Sequence, residues 1–351
     1  MKDQLRQYLK RHPKLKYLQK CMSGYRDPDF VRFMCGDGSN VMRIESFGEE
    51  YANEVIYRIW INTSTDGFFA LFRATLNYLY FADLMKLTPA VIWGKGVPYA
   101  EKESINGTDN PFAYYFVPVS GLQAEDIAKS RHVIQSMWSH QSFAEGLKRQ
   151  RQSYDHSEAY LLEMGRIAGK YITLNEETQA LLLSDYNALS MGKRTIGIHM
   201  RGTDYKTAYK NHPVAASVED YINRLDSLLK TEDFDHIFLA TDDRGILESF
   251  KERYQTKVKY FSDTERGNGV TSVAFSYSER KNHRYLLGYE VLRDTYVLSL
   301  CNGFIGNLSQ VSLCTRILKN SRNERFDYLE IIDHGIHQKG KKFVPPEKII
   351  I

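Results

Sequence analysis

Cysteine is scarce in this chain, with four in 351 residues. Cys21, Cys35, Cys301 and Cys314 stand at no metal-ligand spacing, so no zinc framework is expected. Cys301 and Cys314 sit among apolar neighbours and read as core thiols. No apolar run reaches the ~18 residues of a membrane span. No apolar segment follows the basic start, so no secretory signal is expected. Net charge is small: 47 Lys and Arg against 43 Asp and Glu leave +4, and nothing demands a nucleic-acid partner. His-Glu-x-x-His and Gly-x-Ser-x-Gly are missing. Gly192-Lys193-Arg194-Thr195 precedes a strand and lacks the upstream glycine of a phosphate loop. These absences point to a reduced, cytoplasmic protein.

What is present is apolar mass in abundance. Hydrophobic residues make up 42%, with 24 tyrosines and 18 phenylalanines, enough for two full cores. The positive excess gathers in residues 1–20, where seven Lys and Arg, from Lys2 to Lys20, face the single acid Asp3. That lead reads either as a solvated helix or as a peripheral contact with anionic lipid at the inner membrane face.

The segment after residue 190 alternates between strands and helices. Thr195–Met200, His236–Ala240, Lys257–Phe261 and Phe304–Gly306 read as strands. Helices follow over Val218–Leu229, Arg244–Tyr254 and Tyr285–Leu300, and from Ser309. Ser217 with Asp220 resembles a capping box. Alternation of this kind predicts parallel β/α units. Before residue 190, Val55–Ile61 reads as a strand, Asn62–Gly67 as a polar turn, Phe68–Met85 as a buried helix and Ala90–Trp93 as a second strand. Residues 95–125 are loop-rich and aromatic. Residues 122–190 read as helical, including Ser157–Tyr171 and Glu176–Leu189. The expected architecture is two α/β domains, 1–190 and 191–351.

Each later strand runs into polar residues. The first gives His199, Arg201, Thr203 and Asp204; the second Thr241, Asp242 and Asp243; the third Ser262 and Asp263; the fourth Asn307, Ser309 and Gln310. Carboxyl ends of parallel strands share one edge, where ligands bind in open α/β sheets. An arginine there suits a phosphate, so Arg201 is expected to hold a diphosphate. Ser309 suits the N-cap of the last helix, turning free N–H groups toward an anion. Asp243 has the chemistry to accept two N–H bonds from a guanine edge. His199 reads either as a phosphate or ribose ligand or as a buried imidazole that orients the loop. Asp204 reads better as a partner of Arg201 or of a turn. Asp233-Phe234-Asp235 is formally an Asp-x-Asp metal motif, but it precedes its strand, on the opposite edge. No metal is therefore expected, with Arg201 and helix N–H groups in place of a divalent ion.

The order His199-x-Arg201-x-Thr203-Asp204, Leu239-Ala-Thr-Asp-Asp243, Phe261-Ser-Asp263, Ser309-Gln310-Val311 resembles the α-1,6-fucosyltransferases. Their wider superfamily includes α-1,2- and protein O-fucosyltransferases. The match covers about 130 residues of the C-terminal half and is thin in the N-terminal half. The resemblance implies a GT-B-like fold, two Rossmann-like domains with parallel sheets facing a cleft. It also implies inverting, metal-independent transfer of fucose from GDP-fucose, with no cofactor beyond that substrate. In this resemblance Arg201 corresponds to the β-phosphate arginine, His199 to a donor-binding histidine, Asp243 to the guanine-contacting aspartate, and Ser309 with Gln310 to the phosphate-side loop. Asp242 and Asp263 fall beside these as further donor-binding candidates.

Two departures bear on catalysis. The family's second arginine is replaced by Gly202. Its catalytic glutamate is absent from the region filled by Lys206, Thr207, Ala208, Tyr209 and Lys210. Inverting transfer ordinarily uses a base to take the acceptor proton. In protein O-fucosyltransferases a glutamate before a Gly-Phe turn looks to serve that role, and Asp66-Gly67-Phe68 occupies the comparable place here. Asp66 is thus the candidate base, or else the cap of the following helix; Glu219, in a first helical turn, is weaker. The expected acceptor is a glycan or lipid-linked oligosaccharide. Tyr99, Tyr114, Tyr115 and Phe116 read either as sugar-stacking rings or as core. Other nucleotide sugars remain open, since fold does not fix substrate. So does a non-catalytic nucleotide-sugar or glycan-binding module.

Overall fold

The computed structural model describes residues 42–145, 157–202, 212–267, 273 and 277–339. The basic lead, Cys21, Cys35, Thr203, Asp204 and the stretch from Lys206 to Lys210 lie outside the described residues. Before residue 190 the elements are β1 (Ile44–Glu45), β2 (Ile56–Thr63), α1 (Phe68–Met85), β3 (Thr88–Gly96), β4 (Val133–Gln135), α2 (Glu158–Tyr171) and α3 (Glu176–Ala188). Shorter helical turns lie between β3 and α2. After it come β5 (Thr195–His199), α4 (Val218–Leu228), β6 (His236–Ala240), α5 (Arg244–Tyr254), β7 (Val258–Lys259), α6 (His283–Leu300), β8 (Gly303–Asn307), α7 (Gln310–Ser321) and β9 (Tyr328–Ile332).

The second sheet has the order β7-β6-β5-β8-β9, and every neighbouring pair is parallel. Its chain order reverses between β5 and β8, the switch point where open α/β sheets bind ligands. The first sheet has the order β1-β4-β2-β3. Here β2 runs parallel to β3 and β4, while β1 lies antiparallel on β4. The α/β class matches the reading of the sequence, but the first sheet is mixed rather than purely parallel. Both β4, inside the stretch read as helical, and β9 went unread. Three apolar-leaning residues among turns carry no periodicity to read.

Helix starts follow their capping chemistry. Ser157, Asn175, Ser217, Asp243 and Ser309 each accept a first-turn N–H, and Ser217 with Asp220 completes the capping box. Helix α1 is buried nearly all round, as its continuous apolar sequence requires. The main core joins both sides of residue 190. Tyr57, Phe68 and Trp93 belong to the same apolar cluster as Phe238, Phe304 and Ile317. The link is close where α2 meets α7. A β-carbon at Gly165 would lie 2.7 Å from that of Asn320, and one at Gly169 would lie 2.9 Å from the Ser321 carbonyl oxygen. Two glycines one helical turn apart let the backbones touch. The aromatic loop is core as well: Tyr99, Tyr114, Tyr115 and Phe116 are all buried. Cys301 and Cys314 are buried free thiols, and burial pushes Cys301 up to about 12.

Candidate active site

The carboxyl ends of β5, β6 and β8 open into a cleft of about 910 Å³, including the solvent at its mouth. His199, Arg201, Thr241 and Asp242 line one side. Gln310 and Val311, in the first turn of α7, line another. Helix α6 contributes Leu287, Glu290, Val291 and Asp294. The facing wall comes from before residue 190: Gly67–Ala70, at the start of α1, and Tyr99, after β3.

Strand β5 is fully buried up to His199, so the chain must leave the sheet with charge waiting behind it. Three contacts fix the exit. The Tyr221 hydroxyl donates to the His199 carbonyl at 2.8 Å. Met200 N–H donates to the Ala240 carbonyl at 3.1 Å. Gly202 N–H donates to Asp242 Oδ1 at 2.8 Å. The His199 ring is buried, with Nδ1 3.2 Å from Ser312 Oγ and 3.3 Å from Ser309 Oγ. Burial first, and the Arg201 charge second, push its pKa down to about 3. The imidazole is therefore neutral at pH 7, able to donate one hydrogen bond but carrying no charge of its own. Both readings of His199 meet in one geometry: it is buried and it lines the cleft.

Ser309 caps α7, accepting Ser312 N–H at 3.0 Å. The N–H groups of Gln310 and Val311 have no partner within the helix, and the helix dipole makes this end favourable to an anion. The Gln310 amide oxygen is buried without a hydrogen-bond partner.

Asp242 lines the cleft, but Asp243 is differently used. Its carboxylate is buried and caps α5, accepting Ile246 N–H at 3.1 Å. Asp243 also accounts for Gly202. A β-carbon at residue 202 would lie 2.3 Å from that of Asp243, so no side chain, arginine included, fits there. Asp263 does not line the cleft. Arg293 holds it at 2.8 and 3.1 Å and holds Asp185 at 2.7 Å, with the buried guanidinium 3.9 Å from the centre of the Phe261 ring. Glu219 is exposed on α4, away from the cleft lining. Asp235 accepts Arg194 N–H at 2.8 Å, at the amino end of β6. Among the described residues no group of three or more His, Cys, Asp or Glu is placed to hold a metal ion.

Helix α6 supplies what the sequence reading missed. Asp294 is buried in the cleft wall, and burial raises its pKa to about 7 although Arg293 and Arg266 pull the other way. Glu290 beside it receives Arg280 Nη1 at 2.5 Å and Glu265 N–H at 3.0 Å. The sequence offers a weak signal: Glu290, Arg293 and Asp294 interrupt a mostly apolar stretch in mid-helix.

Asp66 stands at the border of the cleft. It is exposed, and its carboxylate accepts the Ser64 hydroxyl at 3.0 Å. It is not the helix cap, since the N-cap of α1 is Gly67, without a side-chain bond. Tyr99 marks the junction. It accepts Phe68 N–H at 2.8 Å, and its hydroxyl, raised to about 12 by burial, feels both the Arg201 and the Asp66 charge.

No family model matches the chain, and no curated protein matches it. Solved structures are similar to it, among them the following three. The NodZ α-1,6-fucosyltransferase soaked with GDP-fucose aligns at 19% identity, over 76% of this chain and 92% of that one, with a TM-score of 0.46. The fucosyltransferase NodZ from Bradyrhizobium aligns at 18% over 77% and 93%, TM-score 0.43. POFUT1 in complex with GDP-fucose aligns at 9% over 81% and 99%, TM-score 0.45.

Proposed function

We propose that the protein is an inverting, metal-independent glycosyltransferase of GT-B type that moves fucose from GDP-fucose to a glycan hydroxyl. One observation carries this reading. At the switch point of the second sheet an arginine, a helix N-terminus and a buried carboxyl line a single cleft, with Gly67–Ala70 at the start of α1 opposite. The order of the strand-end motifs, which resembles that of α-1,6-fucosyltransferases, supports the choice of sugar.

The roles follow from chemistry. Arg201 and the first-turn N–H groups of α7 bind the diphosphate, and His199 donates to a phosphate or ribose oxygen. Asp294, among Val273, Leu287 and Val291, is the carboxylate that accepts the N–H pair of the guanine edge; Asp243 is committed to its cap. The acceptor hydroxyl attacks the anomeric carbon opposite the diphosphate. The carbon–oxygen bond to the β-phosphate breaks, and GDP departs with the electron pair. Arg201 offsets the charge that develops on it, and Asp66 takes the hydroxyl proton. Residues 1–20 bring the enzyme to lipid-linked acceptors at the cytoplasmic membrane face.

GDP release from GDP-fucose tests the assignment. Turnover is expected with a glycan acceptor, slow hydrolysis without one, and both undiminished in EDTA. Binding without either reaction would leave a nucleotide-sugar-binding module instead, and a strict metal requirement would return attention to Asp233 and Asp235.

Asp294 gives a pH dependence whose sign is fixed. The free carboxyl is half protonated near pH 7, and accepting N–H bonds requires it ionised. GDP-fucose affinity should fall about tenfold per unit below pH 7 and level off above it. GDP-fucose has no phosphate group that titrates there. Calorimetry across pH 5.5–8.5, with Asp294→Asn as the flat control, measures this. A wild-type profile as flat as the variant's would remove Asp294 from the base site.

A further inference from the structure

A second cavity, of about 2420 Å³ including open solvent, lies beside the cleft at the edge of the first sheet. It exists because β2 outruns its neighbour. The last pairing of β2 with β4 is Arg58 with Gln135. Trp60 N–H then donates to Ser136 Oγ at 3.1 Å, and the chain turns away into a short helical turn, Trp138–Gln141. Ile59–Thr63 is left with an open edge on that side. Ala70 and Ala74, one turn apart on α1, keep the opposite wall low. Ala70 lines both cavities, and Asp66 lines this one. Groove and cleft therefore meet where the proposed base stands.

The lining of the groove is selective. The chain has three tryptophans. Trp93 is buried, while Trp60 and Trp138 stand 41% and 77% exposed, both on this groove. The Arg58 guanidinium carbon lies 3.8 Å from the centre of the Trp60 ring, so one ring face is covered and the other is open. Asn62 and Gln135 add planar amides. Exposed indole faces beside amides suit a sugar ring, which presents apolar C–H faces and an equatorial belt of hydroxyls. Large aromatic surface left open is the exception in a soluble protein and marks a binding site.

Two arginines set the charge preference. Arg58 and Arg73 both line the groove, and each has a buried Nε–H without a hydrogen-bond partner. Two carboxylates share the lining. Glu45 lies near enough to Arg58 for its charge to be felt, and Asp66 is held by Ser64. Arg73 has no ion-pair partner among the described residues. A buried N–H without an acceptor is unfavourable, and an anionic oxygen forms the strongest bond available to it.

We propose that this groove is the acceptor site and that it selects an acidic saccharide, with sugar rings on Trp60 and Trp138 and an anionic group at Arg73. The proposal rests on the glycosyltransferase reading only for the word acceptor; the recognition of an acidic sugar stands by itself. The anion can be a uronate carboxylate or a sugar phosphate, and the test separates them.

Tryptophan fluorescence titrations without donor should compare cellotetraose, tetragalacturonic acid and glucose 1-phosphate. At least one of the acidic ligands should bind tenfold or more tighter than cellotetraose, and which one does so identifies the anion. Trp138→Ala should weaken oligosaccharide binding at least tenfold. Arg73→Gln should erase the acid preference and Arg73→Lys should keep most of it, which separates lost charge from lost folding. GDP-fucose affinity should not change in any of these variants. Equal affinity for neutral and acidic ligands, no binding of any of the three, or acidic binding indifferent to both sites would overturn the proposal. Saccharide binding with no GDP-fucose turnover would instead retain the groove and remove the transferase reading.

Discussion

Arg201→Ala should reduce turnover by on the order of 10²–10³-fold, the cost of removing one preorganised group aimed at developing charge. It should also weaken GDP binding by roughly 10–100-fold, as expected for losing a charge-assisted hydrogen bond worth about 1.5–3 kcal/mol. The reason lies in the company Arg201 keeps. His199 is neutral, and the described cleft lining contains no lysine. Arg293 and Arg266 bring charge to the Asp294 side of the cleft, and the first turn of α7 adds the rest. A fixed partial charge of roughly half a unit does not replace a guanidinium that can grip two phosphate oxygens at once. Initial rates of GDP release and calorimetric titration of GDP measure the two effects separately. Unchanged GDP affinity would take Arg201 off the diphosphate.

Asp66→Asn should cut turnover by about 10²–10⁴-fold, the usual contribution of a positioned base, with donor affinity unchanged. The substitution keeps the shape of the side chain and its bond to Ser64. Because Gly67, not Asp66, is the N-cap of α1, no helix end depends on the carboxylate. Unfolding free energy, followed by thermal melting, should therefore stay within the small range of exposed substitutions, about ±0.5 kcal/mol. That combination separates a base from a merely structural side chain. A structural side chain would lose stability and keep its rate; a base would keep its stability and lose its rate. Wild-type turnover in Asp66→Asn would send the search for a base elsewhere along the cleft.

The parts of the site that were legible in the sequence are those written in short-range chemistry. Helix α1, strand β6 and helix α5 have the boundaries that their apolar periodicity and caps suggest. The strand ends carrying His199, Arg201, Asp242 and Gln310 converge as parallel β/α units require. The rest depended on long-range packing. Asp242 and Asp243 are adjacent acids after the same strand, and only the start of α5 decides which one turns inward as a cap. Asp263 looked like a strand-end ligand until Arg293, thirty residues on, claimed its carboxylate. Asp294 sits in the middle of a helix, where an acid in an apolar stretch has no assignable role until the helix is seen to wall a cleft. The aromatic run around Tyr114 could have faced sugar or core with the same composition. The tryptophans that do face solvent lie on β2 and after β4, at a sheet edge that no local pattern reveals.

The contact between Gly202 and Asp243 ties two distant positions of this chain together. A β-carbon at residue 202 would meet that of Asp243 at 2.3 Å, and any shift of Asp243 would disturb its bond to Ile246 N–H at the start of α5. A substitution at residue 202 should therefore be felt at the start of a helix far along the chain from it.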